Sequence, residues 1–422
     1  MSSIPWSRRD IARLLAFGGT AALVSAPAWP ASPLAAQGDG ESYWSRVRDE
    51  FLLAPGLAMF NAANLCPASR RVVDVLERMS REIDRDPSPA NRAQLGTGRE
   101  QARRGIADAL RVTPEEIVIT RNTSEANNIV SSGLALGAGD EVLIFADNHP
   151  SNQAAWVEKS KRAGFTITTL AQPNPHPGFE HYVDAVRRAI TPRTRVVAFT
   201  HVTSTVGDLM PAGDLCRLAR ERGVLSLVDG AQSFGVLDVD LAAMQPDFYS
   251  GSAHKWPCGA RETGVLYVNA AAQDRLAPSI ISLYGGAAGV SRRLEAHGQR
   301  DEAAMIAFGE AMRLQGEIGR ARIEARARTL AAALADGLRT LPGVRVWTSP
   351  ERDRSAAVVS FQPGSLDPRR LMTRLYEEDR IVCAIRGGQD RPGLRFSPHF
   401  YNTMADVDRA LAAIRKYLAT GV

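Results

Sequence analysis

The sequence predicts an α/β fold: a mostly parallel, doubly wound sheet in a large domain, followed by a smaller α+β C-terminal domain. Three observations predict it. Short apolar runs of strand length, Glu141–Phe145, Arg195–Phe199, Val224–Val228 and Gly264–Val268, alternate with helical segments; strands buried on both faces have this near-continuous apolar character. Polar residues gather where those runs end, which is where open α/β sheets place ligands. Beyond residue 296 the strand-like runs shorten, as in Ala356–Phe361, Ile381–Ile385 and Leu394–Phe396, and lie beside long helical stretches. With 422 residues, 45% hydrophobic and 23% charged, the chain is globular and long enough for two domains. The net charge of +5 is modest and no basic block carries interleaved aromatics, so no nucleic-acid partner is expected.

The N-terminus stands apart from the fold. Ser7-Arg8-Arg9-Asp10 precedes a mildly apolar run, Leu14–Val24, then small residues and prolines up to Ala35-Ala36-Gln37. A basic start, a short apolar core and small exit residues describe a signal peptide, and the run is too short to span a bilayer. The arginine pair and the Gly18-Gly19 softening resemble a twin-arginine signal, which implies export of the folded protein by the twin-arginine machinery to the periplasm. Ordinary secretion and an uncleaved anchor are the alternatives. Ala26-Pro-Ala28 and Leu34-Ala-Ala36 both fit cleavage sites. The expected division is therefore residues 1–37 as signal, 38–295 as the large domain and 296–422 as the small one. Four cysteines in so long a chain make no disulfide framework, and their spacing fits no metal site; they read as buried free thiols.

The elements follow in order. Leu57–Phe60 reads as a strand that opens into Asn61-Ala-Ala-Asn64. Val72, Val73, Val75, Leu76, Met79 and Ile83 recur at roughly helical spacing until Asp86-Pro-Ser-Pro-Ala90 breaks the helix, and a basic helical segment runs from Arg103 to Leu110. Glu116–Ile119 is a short strand followed by Thr120-Arg-Asn-Thr123-Ser124-Glu125 and an apolar helix. Unpaired N–H groups at such a helix start favour an anion, although Thr123 and Ser124 are equally expected as plain caps. The strand Glu141–Phe145 ends in Ala-Asp-Asn148-His149-Pro-Ser-Asn152, and Arg195–Phe199 runs into Thr200-His201-Val-Thr203-Ser204-Thr205-Val-Gly207. Val224–Val228 ends in Asp229-Gly-Ala-Gln232, and a short strand at Asp247–Tyr249 leads to a turn, Ser252-Ala-His254-Lys255. Gly298-Gln299-Arg300-Asp301 opens one long helical stretch from Glu302 to Leu341. Near the C-terminus, Arg395-Phe-Ser-Pro-His399-Phe-Tyr401-Asn402-Thr403 precedes a last helix, with Thr403 and Asp406 as a capping box.

Asp229 and Lys255 are the informative pair: one carboxylate and one amine, each following a strand. Alone, a lysine among 51 basic residues is ordinarily a solvated charge, and a strand-end aspartate is often a helix cap. Together they match the needs of pyridoxal 5′-phosphate (PLP), a lysine for the Schiff base and an acid facing the pyridinium nitrogen. On this pair and the separated motifs above, the chain from about Tyr43 to the C-terminus resembles the class V aminotransferase family of PLP enzymes, of fold type I. That family includes cysteine desulfurases, selenocysteine lyases and the isopenicillin N epimerase group.

The resemblance implies a set of roles. Lys255 would carry PLP and Asp229 would face its ring nitrogen, making both catalytic together with His149, stacked on the ring. Thr123 and Ser124 would hold the phosphate, with Ser252 and His254 beside them. Thr203 would lie in the loop over the cofactor face, and Gln232 would donate to the phenolic oxygen. Arg395 would fork onto the substrate α-carboxylate, with Asn61 and Asn152 also at the substrate. The Gly298-Gln299-Arg300-Asp301 element resembles one that reaches the phosphate of a second subunit, so a homodimer with shared active sites is implied.

Such a site works at Cα of an amino acid, and epimerisation, transamination, β-elimination and sulfur removal all use the same residues. Desulfurases carry a nucleophilic cysteine shortly before the substrate arginine. Residues 386–393 here contain none, Cys383 lies earlier in an apolar run, and the surroundings of Cys258 match no persulfide loop. The segments Lys255-Trp-Pro-Cys-Gly-Ala-Arg-Glu-Thr-Gly264 and Gly298-Gln-Arg-Asp301 are more similar to the epimerase and selenocysteine-lyase-like group. The expectation is an epimerase or aminotransferase, with a C–S or C–Se lyase as the alternative. An exported protein that only binds a ligand on this fold is the reading from another class. Keeping Lys255, Asp229, His149 and Arg395 all together weighs against it.

Overall fold

The computed structural model describes Leu34, Gly38 and residues 40–385 and 390–422. The arginine pair, the apolar run and the cleavage motifs of the expected signal, Leu34 apart, lie outside the described residues, as do residues 386–389 of the loop before Arg395.

The chain begins with α1 (Glu41–Asp49), β1 (Ala58–Met59), α2 (Arg70–Arg85) and α3 (Pro89–Leu110). Strands and helices then alternate: β2 (Ile117–Thr120), α4 (Thr123–Gly133), β3 (Glu141–Phe145), α5 (Pro150–Ala163), β4 (Thr166–Leu170), α6 (Phe179–Ala189), β5 (Thr194–Thr200), α7 (Ala212–Glu221), β6 (Leu225–Asp229), α8 (Leu241–Met244), β7 (Phe248–Ser252) and β8 (Gly264–Val268). Next come α9 (Ser291–Leu294), α10 (Glu302–Ile318) and α11 (Arg320–Arg339). The chain closes with β9 (Val344–Val346), β10 (Val359–Pro363), α12 (Pro368–Glu377), β11 (Ile381–Val382), β12 (Ala384–Ile385), β13 (Leu394–Phe396) and α13 (Met404–Thr420).

Strands β2 to β8 form one sheet in the order β2-β8-β7-β6-β5-β3-β4, in which β8 alone runs against the other six strands. Alternate side chains build its two faces. Leu143 and Phe145 of β3 join Val197 and Phe199 of β5 in one core, while Val142, Ile144, Val196 and Ala198 join the other. Each buried Val, Leu, Ile or Phe here contributes about 1.5–3 kcal/mol, and a one-residue slip would exchange both cores at once. The Thr-rich β4, half exposed, closes one edge. On the far side, α10 packs along α2 and α3.

A second, antiparallel sheet has the order β12-β13-β10-β9 and a core of its own with α11 and α13. The N-terminal segment joins it. Strand β1 pairs in parallel with β11, and Asn61 continues beside Ser397. That path carries residues 60–66 from the second sheet toward the carboxyl edge of the first.

Several boundaries differ from the sequence expectation. The helix expected from Arg103 starts at Pro89, where Ser88 caps it and proline sits in the first turn, a favoured position because its missing N–H would be unpaired anyway. The single stretch from Glu302 to Leu341 is two helices, separated at Gly319, whose φ of 95° a side chain would resist. Strand β7 runs on to Ser252, so that residue belongs to the ladder and not to the turn. The capping box of Thr403 and Asp406 is present. Among the described residues no helix is long and apolar enough to cross a membrane.

Candidate active site

The sheet order reverses between β3 and β5: the chain leaves β3 for β4 at one edge, then returns to β5 on the other side. In α/β sheets the crevice outside the strand ends at such a switch is the usual ligand position. Asn148 ties the two strand ends together. Its Nδ2 donates to the Ala198 carbonyl at 2.9 Å, and its Oδ1 accepts from the Thr200 N–H at 3.0 Å. His149 follows as the N-cap of α5, with Nδ1 accepting from the Ser151 N–H at 3.3 Å.

Asp229, the last residue of β6, is 2% exposed. Its Oδ2 accepts from Asn127 Nδ2 at 2.9 Å and Asn152 Nδ2 at 3.4 Å, and its Oδ1 accepts from the Ala231 N–H at 3.1 Å. Asn127 is fixed in turn by the Ser250 hydroxyl, which donates to its Oδ1 at 2.7 Å. Gly230 is required beside it, because a Cβ there would lie 2.1 Å from the Tyr249 ring. Two buried acceptor or donor atoms close by have no protein partner: Asn152 Oδ1 and the hydroxyl of Thr200, the register partner of Asp229. Leaving such atoms unsatisfied costs roughly 1–3 kcal/mol each, so this crevice suits a polar, hydrogen-bonding group. A pyridine ring with polar substituents facing the carboxylate fits that description.

At the start of α4 the cap is Asn122, not Thr123 or Ser124. Its extended backbone (φ −174°) lets Oδ1 accept from the Glu125 N–H at 2.9 Å, so both hydroxyl residues fall inside the helix. Thr123 turns inward, where its N–H and its Oγ1 each lie 2.8 Å from Ser252 Oγ. Ser124, one residue on, is exposed and lines an outer cleft of about 510 Å³ with Asn122, Glu125 and His297. Gln299 is also on that outer face, accepting from Arg92 Nη2 at 2.6 Å and lining the adjoining cleft with Arg121 and Arg300. The interior thus brings Thr123 and Ser252 together, and it does not include Ser124 or Gln299.

The turn bearing His254 and Lys255 is pinned from several sides. The Cys66 N–H donates to the His254 carbonyl at 2.8 Å, and the Cys258 N–H donates to the Lys255 carbonyl at 2.9 Å. The Trp256 indole N–H donates to Gln232 Oε1 at 2.8 Å, while Gln232 Nε2 donates to the Ala63 carbonyl at 2.9 Å. His399 Nε2 lies 2.7 Å from the Trp256 carbonyl and so carries the proton. Burial, and then the charge of Lys255, lowers His254 to about 4; burial lowers His399 to about 3. Both imidazoles are therefore neutral at neutral pH.

Arg395, on β13, is fully buried. Its Nη1 donates to the Ser204 carbonyl and its Nη2 to Asn61 Oδ1, both at 3.1 Å. Thr203, next in the same loop, is buried and its Oγ1 accepts from the Asp208 N–H at 3.0 Å. Residues 61–66 and 200–207 thus connect Asp229, the Lys255 turn and Arg395 around one crevice. Asn127, Trp256, His399 and the Ser204 carbonyl belong to this framework and escaped the sequence reading. Asn127 had a signal, since it lies one helical turn after Thr123 on the same face. All four cysteines are buried free thiols. Burial pushes Cys216 and Cys383 up to about 12 and raises Cys258 well above its ordinary value, so none of these is an activated thiolate.

An oriented carboxylate, a lysine on a pinned turn and a buried arginine at the carboxyl edge of a doubly wound sheet define an enzyme of the PLP-dependent fold type I class. The chain belongs to the class V aminotransferase family: the family model described as aminotransferase class-V matches residues 66–410. It is 31% identical over 392 residues to isopenicillin N epimerase of Amycolatopsis lactamdurans, which spans 88% of this chain and 98% of that protein. Against a probable cysteine desulfurase of Xylella fastidiosa strain 9a5c it is 29% identical over 406 residues, 88% of this chain and 95% of the other. Among solved structures, a lysine-to-alanine variant of C-DES with glycine covalently linked to its PLP cofactor aligns with a TM-score of 0.79 at 23% identity. That alignment covers 87% of this chain and 98% of that one, and the likeness concerns the fold. The protein is a PLP-dependent enzyme.

Proposed function

We propose that the protein acts at Cα of an α-amino acid or a derivative, as an epimerase or an aminotransferase. The observation that carries this reading is Arg395, a fully buried guanidinium whose two terminal nitrogens are aimed by neutral oxygens of Ser204 and Asn61. A planar two-nitrogen fork suits bidentate binding of an α-carboxylate. PLP, when bound, supplies the electron sink that weakens bonds at Cα.

The chain's own residues do the rest in this reading. Arg395, with Asn61 beside it, fixes the carboxylate and thereby selects which Cα bond is aligned for cleavage. Lys255 Nζ accepts the Cα proton and returns it, to the same face or with a second group to the other. Asp229 would keep a proton at the ring nitrogen. His149 would cover one ring face, Thr203 belongs to the loop that would lie over the cofactor, and Gln232 would donate to the phenolic oxygen. Asn152 would meet the ring or substrate, and Thr123 with Ser252 would hold the phosphate at the start of α4, beside His254. The lyase reading is supported by kinship with the desulfurase relatives, and β-elimination needs no nucleophilic thiol.

Ser124 and Gln299 find their place in a homodimer, where a second copy covers the outer clefts. The exposed apolar side chains of Ile281, Leu283 and Tyr284, which follow the cleft-lining Ile280 in the chain, support this. Residues 1–37 are proposed as a twin-arginine signal that delivers the protein to the periplasm, and 38–295 and 296–422 as the two domains. Replacing Arg8 and Arg9 by lysine should hold active enzyme in the cytoplasm; unchanged delivery would reject the signal.

The deciding experiment incubates the holoenzyme in D₂O with L- and D-amino acids and reads the products by chiral mass spectrometry. Deuterium at Cα with inversion identifies an epimerase. A keto acid formed from paired donor and acceptor identifies an aminotransferase, and pyruvate with released thiol or selenide a lyase. Absence of Cα exchange across the panel would reject the proposal.

A further inference from the structure

The crevice is bordered by an ion pair that none of the assigned roles uses. Asp147, in the turn after β3 and two residues before His149, forms a bidentate pair with Arg391, four residues before Arg395. Nη1 lies 2.6 Å from Oδ2 and Nη2 lies 2.6 Å from Oδ1. The two side chains are only 9% and 10% exposed, and 244 residues separate them in sequence. Several other pairs among the described residues are of a different kind. Lys161–Glu158 and Arg187–Asp184, for example, are solvent-exposed contacts within one helix, of the sort that contributes little.

Each end of this pair is anchored to a different wall of the site. On the Asp147 side, the Thr205 hydroxyl donates to Oδ2 at 3.1 Å, and Asn148 fastens the same turn to β5. Thr205 adjoins Ser204, whose carbonyl receives Arg395 Nη1. On the other side, the Trp347 indole N–H donates to the Pro392 carbonyl at 3.0 Å, just before β13 carries Arg395 into the crevice. The Ser360 hydroxyl, on β10, donates to the Thr205 carbonyl at 2.5 Å, so the second sheet also grips this loop. One carboxylate therefore touches both the arginine upstream of Arg395 and the residue next to the oxygen that orients Arg395.

We infer that Asp147 and Arg391 form a positioning pair that locks the His149 turn to the Arg395 strand, and so sets affinity for the substrate carboxylate without contacting it. The inference rests on Arg395 as the carboxylate site. Breaking a buried, hydrogen-bonded pair leaves the other charge unsatisfied, so either single change releases both walls. Because the two residues act through one contact, their effects should not add.

The test uses holoenzyme carrying Asp147→Asn, Arg391→Gln, both changes, or the conservative Arg391→Lys. Two readouts are taken: the amino-acid concentration that half-saturates the shift of the bound-cofactor absorption band, and amide hydrogen exchange of residues 146–152, 200–207 and 390–397. Each single variant should raise the half-saturating concentration about tenfold and speed exchange in all three segments, including the two that do not contain the substitution. The double variant should be no worse than the more severe single, and Arg391→Lys should recover part of the affinity. Exchange that rises only around the substituted residue, additive effects, or an unchanged half-saturating concentration would overturn the inference. If wild type ignores every amino acid, the carboxylate reading of Arg395 fails, and the exchange pattern alone still decides whether the pair couples the two walls.

Discussion

Thr123 and Ser124 are neighbours on one helix, yet they belong to surfaces of opposite character. Successive helical residues point about 100° apart, so the first enters the crevice and the second leaves it. On the inner wall, hydroxyls and amides are tied within the chain: Thr123 to Ser252, Asn127 to Asp229, Gln232 to Trp256. The outer face holds Ser124, Gln299 and His297, with Ile281 89%, Leu283 97% and Tyr284 73% exposed just after the cleft-lining Ile280 in the chain. The contrast teaches that one helix can serve two surfaces: an inner wall of buried polar groups, and an outer face with exposed apolar side chains that the proposed homodimer would cover.

The strongest way to break this comparison is at the inner wall. Lys255→Ala should lower turnover about 10²–10⁴-fold, the range for losing a positioned proton-transfer group. Borohydride reduction should then no longer label the peptide spanning residues 249–261, and a label found on another lysine would misplace the site. Arg395→Ala comes next. Losing a buried bidentate partner costs roughly 2–5 kcal/mol, so KM for the amino acid should rise steeply, and steady-state kinetics with unchanged KM would remove the carboxylate role.

Asp208 sharpens the comparison, because it is a fully buried inner carboxyl whose two oxygens have no hydrogen-bond partner. Burial first, and then the charge of Asp147, raises it from 3.8 to about 7. The folded protein holds this proton more tightly than the unfolded chain does. The resulting stabilisation is complete below the unfolded value and is lost as pH rises toward 7. At about 1.36 kcal/mol per unit, wild type should lose roughly 2–3 kcal/mol more than Asp208→Asn between pH 5 and pH 8. Urea unfolding at the two pH values checks this, and parallel curves for the two proteins would contradict it.

The smallest effect on the inner wall is expected from the outer face. Leu283→Ser combined with Ile281→Ser should shift the proposed dimer to monomer in analytical ultracentrifugation while Lys255 still takes the borohydride label. Such exposed changes alter chain stability by no more than about 0.5 kcal/mol. A monomeric wild type would dissolve the distinction between the two faces.

Much of this was legible in the chain itself. Apolar runs marked β3, β5, β6 and β8, the position after a strand singled out Asp229 and Lys255, and Thr403 with Asp406 announced the last helix. These are local patterns, set by residues within a few positions of one another. Asn122 was passed over in favour of its hydroxyl neighbours because cap residues compete on nearly equal terms. Likewise Gly319 gave too weak a signal to divide a helix otherwise rich in good helix formers.

By itself, then, the sequence determined the alternation of elements, the family and the residue types that PLP chemistry requires. Only the tertiary structure decided which of those residues meet. Trp256 and His399, 143 positions apart, share a carbonyl contact, and Asp147 finds Arg391 across 244 positions. No local propensity encodes such contacts, because they depend on how two sheets and the segment between them close. The same packing turned Ser124 outward and Thr123 inward, since a helix can bury only the stripe that faces its neighbours.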